Sequence, residues 1–125
     1  MVINLEDLYF TNLSIHNTAG AFENVDMKIS MEHSVNVDSE NNSCDTKTSI
    51  SIVPENSAEL DGEFAIRISA NTKFSLKNYT PLENKNLHVQ TVQQVYPYIR
   101  AAVSNITALA RIPPIHMPFL NVSSS

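Results

Sequence analysis

Glycine occurs only at Gly20 and Gly62, cysteine only at Cys44, and tryptophan nowhere in these 125 residues. Two glycines so far apart cannot build the close-set loop that cradles a phosphate, which speaks against nucleotide binding. A single cysteine forms no internal disulfide and no Cys-x-x-Cys pair, in keeping with a reducing compartment. Charge is scarce as well, at 17% of residues, and the 8 Lys and Arg against 13 Asp and Glu leave a net charge of -5. No basic stripe exists to drive counterion release, so nucleic acid is not an expected partner. Long apolar runs are missing, and the segment Met1 to Asp7 carries acids in place of a positively charged leader. Neither a membrane span nor a signal peptide is expected, and the cytoplasm is the expected location.

Reactive constellations are missing too. His16, His33, His88 and His116 fall on different segments without a His-Glu-x-x-His spacing, and read as isolated surface or edge histidines. Cys44 lies in a strand pattern with no local signature of a thiol hydrolase, so it reads as a small core residue. Glu55, Glu59, Asp61 and Glu63 lack the alternating oxygen ligands and glycine position of a calcium loop, and read as a solvated connection. No catalytic residue, metal ligand set or cofactor site emerges, and the chain is not expected to be an enzyme.

What is present is alternation. Apolar residues recur at every second position in segments Leu5 to Ile15, Val25 to Val37, Ser43 to Val53 and Gly62 to Leu76, with many β-branched side chains. In the second, Val25, Met27, Ile29, Met31, His33, Val35 and Val37 share one side of a pleat. In the first, Leu8 and Phe10 fall opposite Tyr9, Leu13 and Ile15, which predicts a strand that is apolar on both faces. Short breaks rich in Asn, Asp, Ser and Gly favour antiparallel neighbours joined as a meander. After a loop at Asn78 to Asn86 the period turns helical, with Val92, Val95, Tyr96, Ile99, Val103, Ile106, Leu109 and Ala110 at intervals of three and four. Because proline lacks an amide donor, Pro97 must begin a helix or kink one; the main helix is expected over about Pro97 to Arg111, with a shorter turn before it and a stop at Pro113-Pro114. The expected fold is thus α+β: one domain over 1–125, a four-stranded antiparallel sheet meander followed by a long C-terminal helix.

One helix covers part of one face of such a sheet, so apolar area remains for sister subunits or ligands. Met27 and Met31 read as core under the helix, although thioethers also adapt to varied apolar ligands. Tyr79, Pro81, Leu82 and Leu87 could equally roof a groove beside the helix or simply pack.

The run Val95-Tyr96-Pro97-Tyr98-Ile99-Arg100, then Ala102-Val103-Ser104-Asn105-Ile106 and Ile112-Pro113-Pro114-Ile115-His116-Met117-Pro118, resembles the SecB export-chaperone family. Leu8 to Ile15 is similar to that family's first strand, and Phe74-Ser75-Leu76 to the end of its fourth. The resemblance implies subunits paired into a dimer and dimers into a homotetramer. It also implies a cytoplasmic holdase that binds unfolded or non-native polypeptides in protein export, or serves one fixed partner such as the antitoxin of a toxin-antitoxin system. By position it assigns client contact to Tyr79, Leu82, Leu87, Ile112, Ile115, Met117 and Phe119. Where the family carries acids on the exposed sheet face for its translocase motor, this chain holds Asn12, His16 and Arg67, so motor docking is expected to be weak or absent.

Overall fold

The computed structural model describes residues 1–18, 26–55, 62–112, 115 and 117. Four antiparallel strands come first, β1 (Val2–Asn17), β2 (Met27–Asp38), β3 (Ser43–Pro54) and β4 (Phe64–Lys77). A single 3₁₀ turn at Pro81–Glu83 then leads into one helix, α1 (Asn84–Ala110). The sheet-then-helix order is the one expected. Val25, Glu59, Asp61, Pro113, Pro114, His116 and Phe119, all named above, lie outside the described residues.

The strands lie in the order β1-β4-β3-β2. β2, β3 and β4 form the expected meander, whereas β1 does not sit beside β2 but pairs along its whole length with β4. A short connection does not force neighbours here. β1 and β2 stand three strand spacings, roughly 14 Å, apart, a distance that a chain of about 3.3 Å per residue can span between Asn17 and Met27. β1 and β2 therefore become the two edges of the sheet. The β2–β3 hairpin is closed by Asp38, whose carboxylate accepts the Asn41 amide and side-chain amide at 3.3 and 2.7 Å, and by Asn42 at φ 50°, a left-handed conformation asparagine tolerates.

The expected two-sided β1 is corrected by two β-bulges, one between Leu5 and Asp7 and one between Phe10 and Asn12. Each extra residue shifts the side-chain phase by one. As a result Ile3, Leu5, Leu8, Phe10, Leu13 and Ile15 oppose Leu76, Phe74, Thr72, Ala70, Ile68 and Ile66 of β4, and all six share the helix-bearing face. The opposite face is polar, carrying Asn12, Ser14, His16, Glu32, Lys47, Ser49, Arg67 and Ser69, with Tyr9 accepting a hydrogen bond from the Asn71 amide.

The core lies between α1 and the two central strands. Cys44, Ile50 and Ile52 of β3, with Phe64, Ile66, Ile68 and Phe74 of β4, are buried under Leu87, Val92, Val95, Ile99 and Val103 of α1. Each of these large side chains contributes about 1.5–3 kcal/mol by leaving water. Cys44 is the core residue expected, and burial pushes its thiol up to about 11.

The helix is longer than expected. It starts at Asn84, not Pro97, and the loop before it shrinks to Asn78–Thr80. Pro97 is tolerated mid-helix because it is exposed, as is Gln93 one turn back, so the carbonyl that loses its partner faces water. At the other end Arg111 is not in the last turn but closes the helix in the left-handed conformation, φ 56°. The Ile112 amide donates to the Thr107 carbonyl at 3.2 Å and the Arg111 amide to Ala108 at 3.3 Å, a Schellman closure made without glycine.

Candidate functional site

α1 presents a narrow stripe, Leu87, Thr91, Val92, Val95, Tyr96, Ile99, Val103 and Thr107, to a sheet four strands wide. A helix is about 10 Å across with its side chains, and the sheet is wider by roughly one strand on each side. The apolar residues of the edge strands are therefore only half-covered. On one flank lie Ile3, Leu5, Leu8, Phe10 and Ile15 of β1, with Leu13 left 53% exposed. On the other lie Met27, Ile29, Met31, Val35 and Val37 of β2, which pack against the core without being enclosed by it.

The β2 flank deepens into a groove of about 550 Å³ lined by Val35, Val37, Ser39, Tyr79, Pro81, Asn84, Leu87 and His88. Its floor comes from the end of β2, because odd positions of that strand face the helix. Its far wall comes from the first turns of α1 and the segment that leads into them. Asn78 at φ 59° turns the chain out of β4, and the Tyr79 hydroxyl donates to the Asn84 side-chain carbonyl, which fixes the ring over the groove. Among the described residues the lining contains no carboxylate and no lysine or arginine, so recognition there rests on apolar contact and shape.

Next to the groove, His33 joins three elements. Its Nδ1 lies 2.7 Å from Thr48 Oγ1 of β3, and its Nε2 lies 2.9 Å from Thr91 Oγ1 of α1. Thr91 donates its own proton to the His88 carbonyl at 3.1 Å. Thr91 must then accept from His33 Nε2–H, which leaves Nδ1 to accept from Thr48 and fixes a neutral tautomer. His88 stacks edge-on against this ring, centroids 4.9 Å apart, and reaches the His33 carbonyl through Nε2 at 3.2 Å. Burial, with the neighbouring His88, lowers the His33 pKa to about 4. His33 and His88 are thus a pair, not the isolated histidines expected. Among the described residues no three His, Cys, Asp or Glu side chains gather as metal ligands.

The seven residues assigned by position do not all fall together. Tyr79 and Leu87 line the groove, Leu87 as a buried residue at its base. Leu82 stands 97% exposed outside it. Ile112 and Met117 are buried in the core cluster and Ile115 packs against it, while Phe119 is outside the described residues. Val35, Val37 and His88 were not singled out. Alternation placed the two valines on the helix-facing side, but only the strand order makes β2 an edge and leaves that side open.

No family model matches the sequence, and no curated protein matches it. Among solved structures, the chain is similar to the SecB-like chaperone of Mycobacterium tuberculosis in complex with a ChAD peptide from the HigA1 antitoxin. The TM-score is 0.77 at 16% identity, over 95% of this chain and 90% of that one. A protein of unknown function from Streptococcus agalactiae gives a TM-score of 0.47 at 13% identity, over 95% of this chain and 98% of that one. The fold is SecB-like, as the sequence resemblance implied. No helix among the described residues is long and apolar enough to cross a membrane.

Proposed function

We propose that the chain is a subunit of a non-enzymatic, cytoplasmic chaperone that holds non-native polypeptides on the apolar strips beside its helix. The observation that carries this reading is the pair of half-covered strips on β1 and β2, one of which deepens into the Val35, Val37, Tyr79 and Leu87 groove. Such a surface recognises hydrophobicity rather than sequence, which suits varied clients. The SecB-like fold supports it. Tyr79, Leu82 and Leu87, with Ile112, Ile115, Met117 and Phe119 after the helix, are the client contacts proposed, Ile112 and Met117 becoming available only if the segment after α1 moves.

Self-association uses the β1 flank. Leu13 on that edge and Leu109, 85% exposed near the end of α1, are apolar surface that a second subunit would remove from water. Dimers, and dimers of dimers, are the expected assemblies. Docking to a translocase motor is weak, because Asn12, His16 and Arg67 on the polar face offer a cationic partner no carboxylate.

A second reading, service to one fixed partner such as an antitoxin, is favoured by the structural neighbour's antitoxin peptide. Promiscuity separates the two. Stoichiometric protein should suppress aggregation of several unrelated denatured proteins without nucleotide. Suppression of none would turn the choice to the fixed partner.

A further inference from the structure

We propose that His33, Thr48, Thr91 and His88 form a proton-sensitive latch that holds the first turns of α1 on β2, and that proton uptake by His33 releases those turns. Both nitrogens of the His33 ring are already committed in the neutral form, one as donor to α1 and one as acceptor from β3. A proton on Nδ1 would face the Thr48 hydroxyl, which now donates, so Thr48 would have to reverse. Thr48 is fully buried, and its cross-strand neighbour on β4 is Ala70, which offers no side-chain partner for the displaced proton. The positive ring would also stand against His88, the one titratable side chain facing it among the described residues.

Other charges turn away. Glu32 and Lys28 of β2 and Lys47 of β3 lie at positions of opposite phase and reach the polar face of the sheet. β4 contributes Ala70 to the same row, β1 contributes Phe10, and Lys85 of α1 is exposed. Nothing within this set could neutralise an imidazolium, so the charge is accommodated by letting the ring reach water.

The change in what lies beneath the helix along its length keeps this release local. The sheet rows at and next to His33 on one side hold Thr48, Thr46 and Thr72, whereas those on its other side hold Ile50, Ile52, Ile66 and Ile68. Opening the first turns has to expose Leu87, which is buried, so the open form is a minor one, and the later turns stay seated on the isoleucines.

The direction follows from linkage. The closed state keeps His33 neutral down to about pH 4, while the open state gives it back a value of 6.5. Opening is therefore unaffected by pH above 6.5 and grows more frequent as pH falls below it. At pH 5 the gain is on the order of tenfold once the ring's partial exposure is discounted. Because His88, Leu87 and Asn84 form the groove wall, release would widen the groove in acid; that consequence rests on the function proposed above, and the release itself does not.

Amide hydrogen exchange of the full chain at pH 7.5 and 5.0, corrected for intrinsic rates and run without any polypeptide ligand, tests the latch. Amides of residues 87–95 should lose about tenfold of protection at pH 5.0, while those of 99–107 keep theirs. His33→Gln, which can still accept and donate but does not titrate, should show the same protection at both pH values. An NMR titration of the wild-type imidazoles supplies a reading that needs no variant, with His33 expected to titrate below 5. Uniform loss along α1, no loss at all, persistence of the effect in His33→Gln, or a His33 titration near 6.5 would each overturn the proposal.

Discussion

The two halves of the helix–sheet interface are built from different chemistry. Cross-strand rows Leu13, Ile68, Ile50, Met31 and Ile15, Ile66, Ile52, Ile29 carry nothing polar. The adjoining rows Leu8, Thr72, Thr46, Val35 and Phe10, Ala70, Thr48, His33 bring in three hydroxyls and an imidazole, before the row Leu5, Phe74, Cys44, Val37 turns apolar again. A buried hydroxyl gains about 1 kcal/mol when paired and costs more than that when it is not, so these two rows supply less net adhesion than the isoleucine rows. The difference separates two tasks. The isoleucine half anchors the helix, and the threonine–histidine half sets where its first turns lie beside the groove.

The largest contrast comes from truncation in the anchoring half. Ile66→Ala removes a fully buried side chain from β4 and should lower unfolding free energy by about 3–4 kcal/mol in urea denaturation. A loss under 1 kcal/mol would mean that this half is not the anchor.

His33→Ala should cost about 2 kcal/mol at pH 7.5, since Thr48 loses the acceptor of its proton and Thr91 loses the donor to its oxygen. The cost should shrink with acidification. A group whose folded pKa is depressed contributes stability that is complete above the unfolded value of 6.5 and fades as pH falls toward about 4, so wild type and variant should converge across that window. Parallel curves would remove His33 as the cause.

Threonines of the polar half should answer valine substitution with opposite signs. Thr72 Oγ1 is buried with no hydrogen-bond partner among the described residues, and Thr72→Val should stabilise by about 1 kcal/mol. Thr91→Val should destabilise by about 1 kcal/mol, because it strips the acceptor from His33. The same sign for both, read from denaturation midpoints, would dissolve the distinction between paired and unpaired hydroxyls. The smallest effect lies at the far end of α1, where Arg111→Gly should raise stability by up to about 1 kcal/mol by relieving its left-handed backbone.

Much of this was readable from the sequence, and the failures have physical causes. Period-two spacing located four strands, and odd positions of β2 from Met27 to Val37 do share the helix side. β1 defeated the same rule, because each of its bulges resets the phase and neither carries a glycine to announce it. Pro97 suggested a helix start where it is a solvent-facing interruption of a helix already three turns old. Apolar side chains in the loop before the helix brought Tyr79 and Leu87 into view, but Val35 and Val37 become a groove floor only when β1 pairs with β4 and leaves β2 at the edge. His33 looked like one polar break in an apolar run. Its meaning depends on Thr91, 58 residues away in sequence, which no local pattern supplies.

Fluorescence anisotropy of several labelled, permanently unfolded proteins, titrated with wild type and with the Val35→Asp/Val37→Asp variant, addresses polypeptide holding most directly. Wild type should bind all of them, and the two carboxylates in the groove floor should weaken binding at least tenfold while the far-UV signature of the fold is kept. Wild type that binds none of them, or a folded variant that binds as tightly as wild type, would contradict a polypeptide-holding groove on this flank.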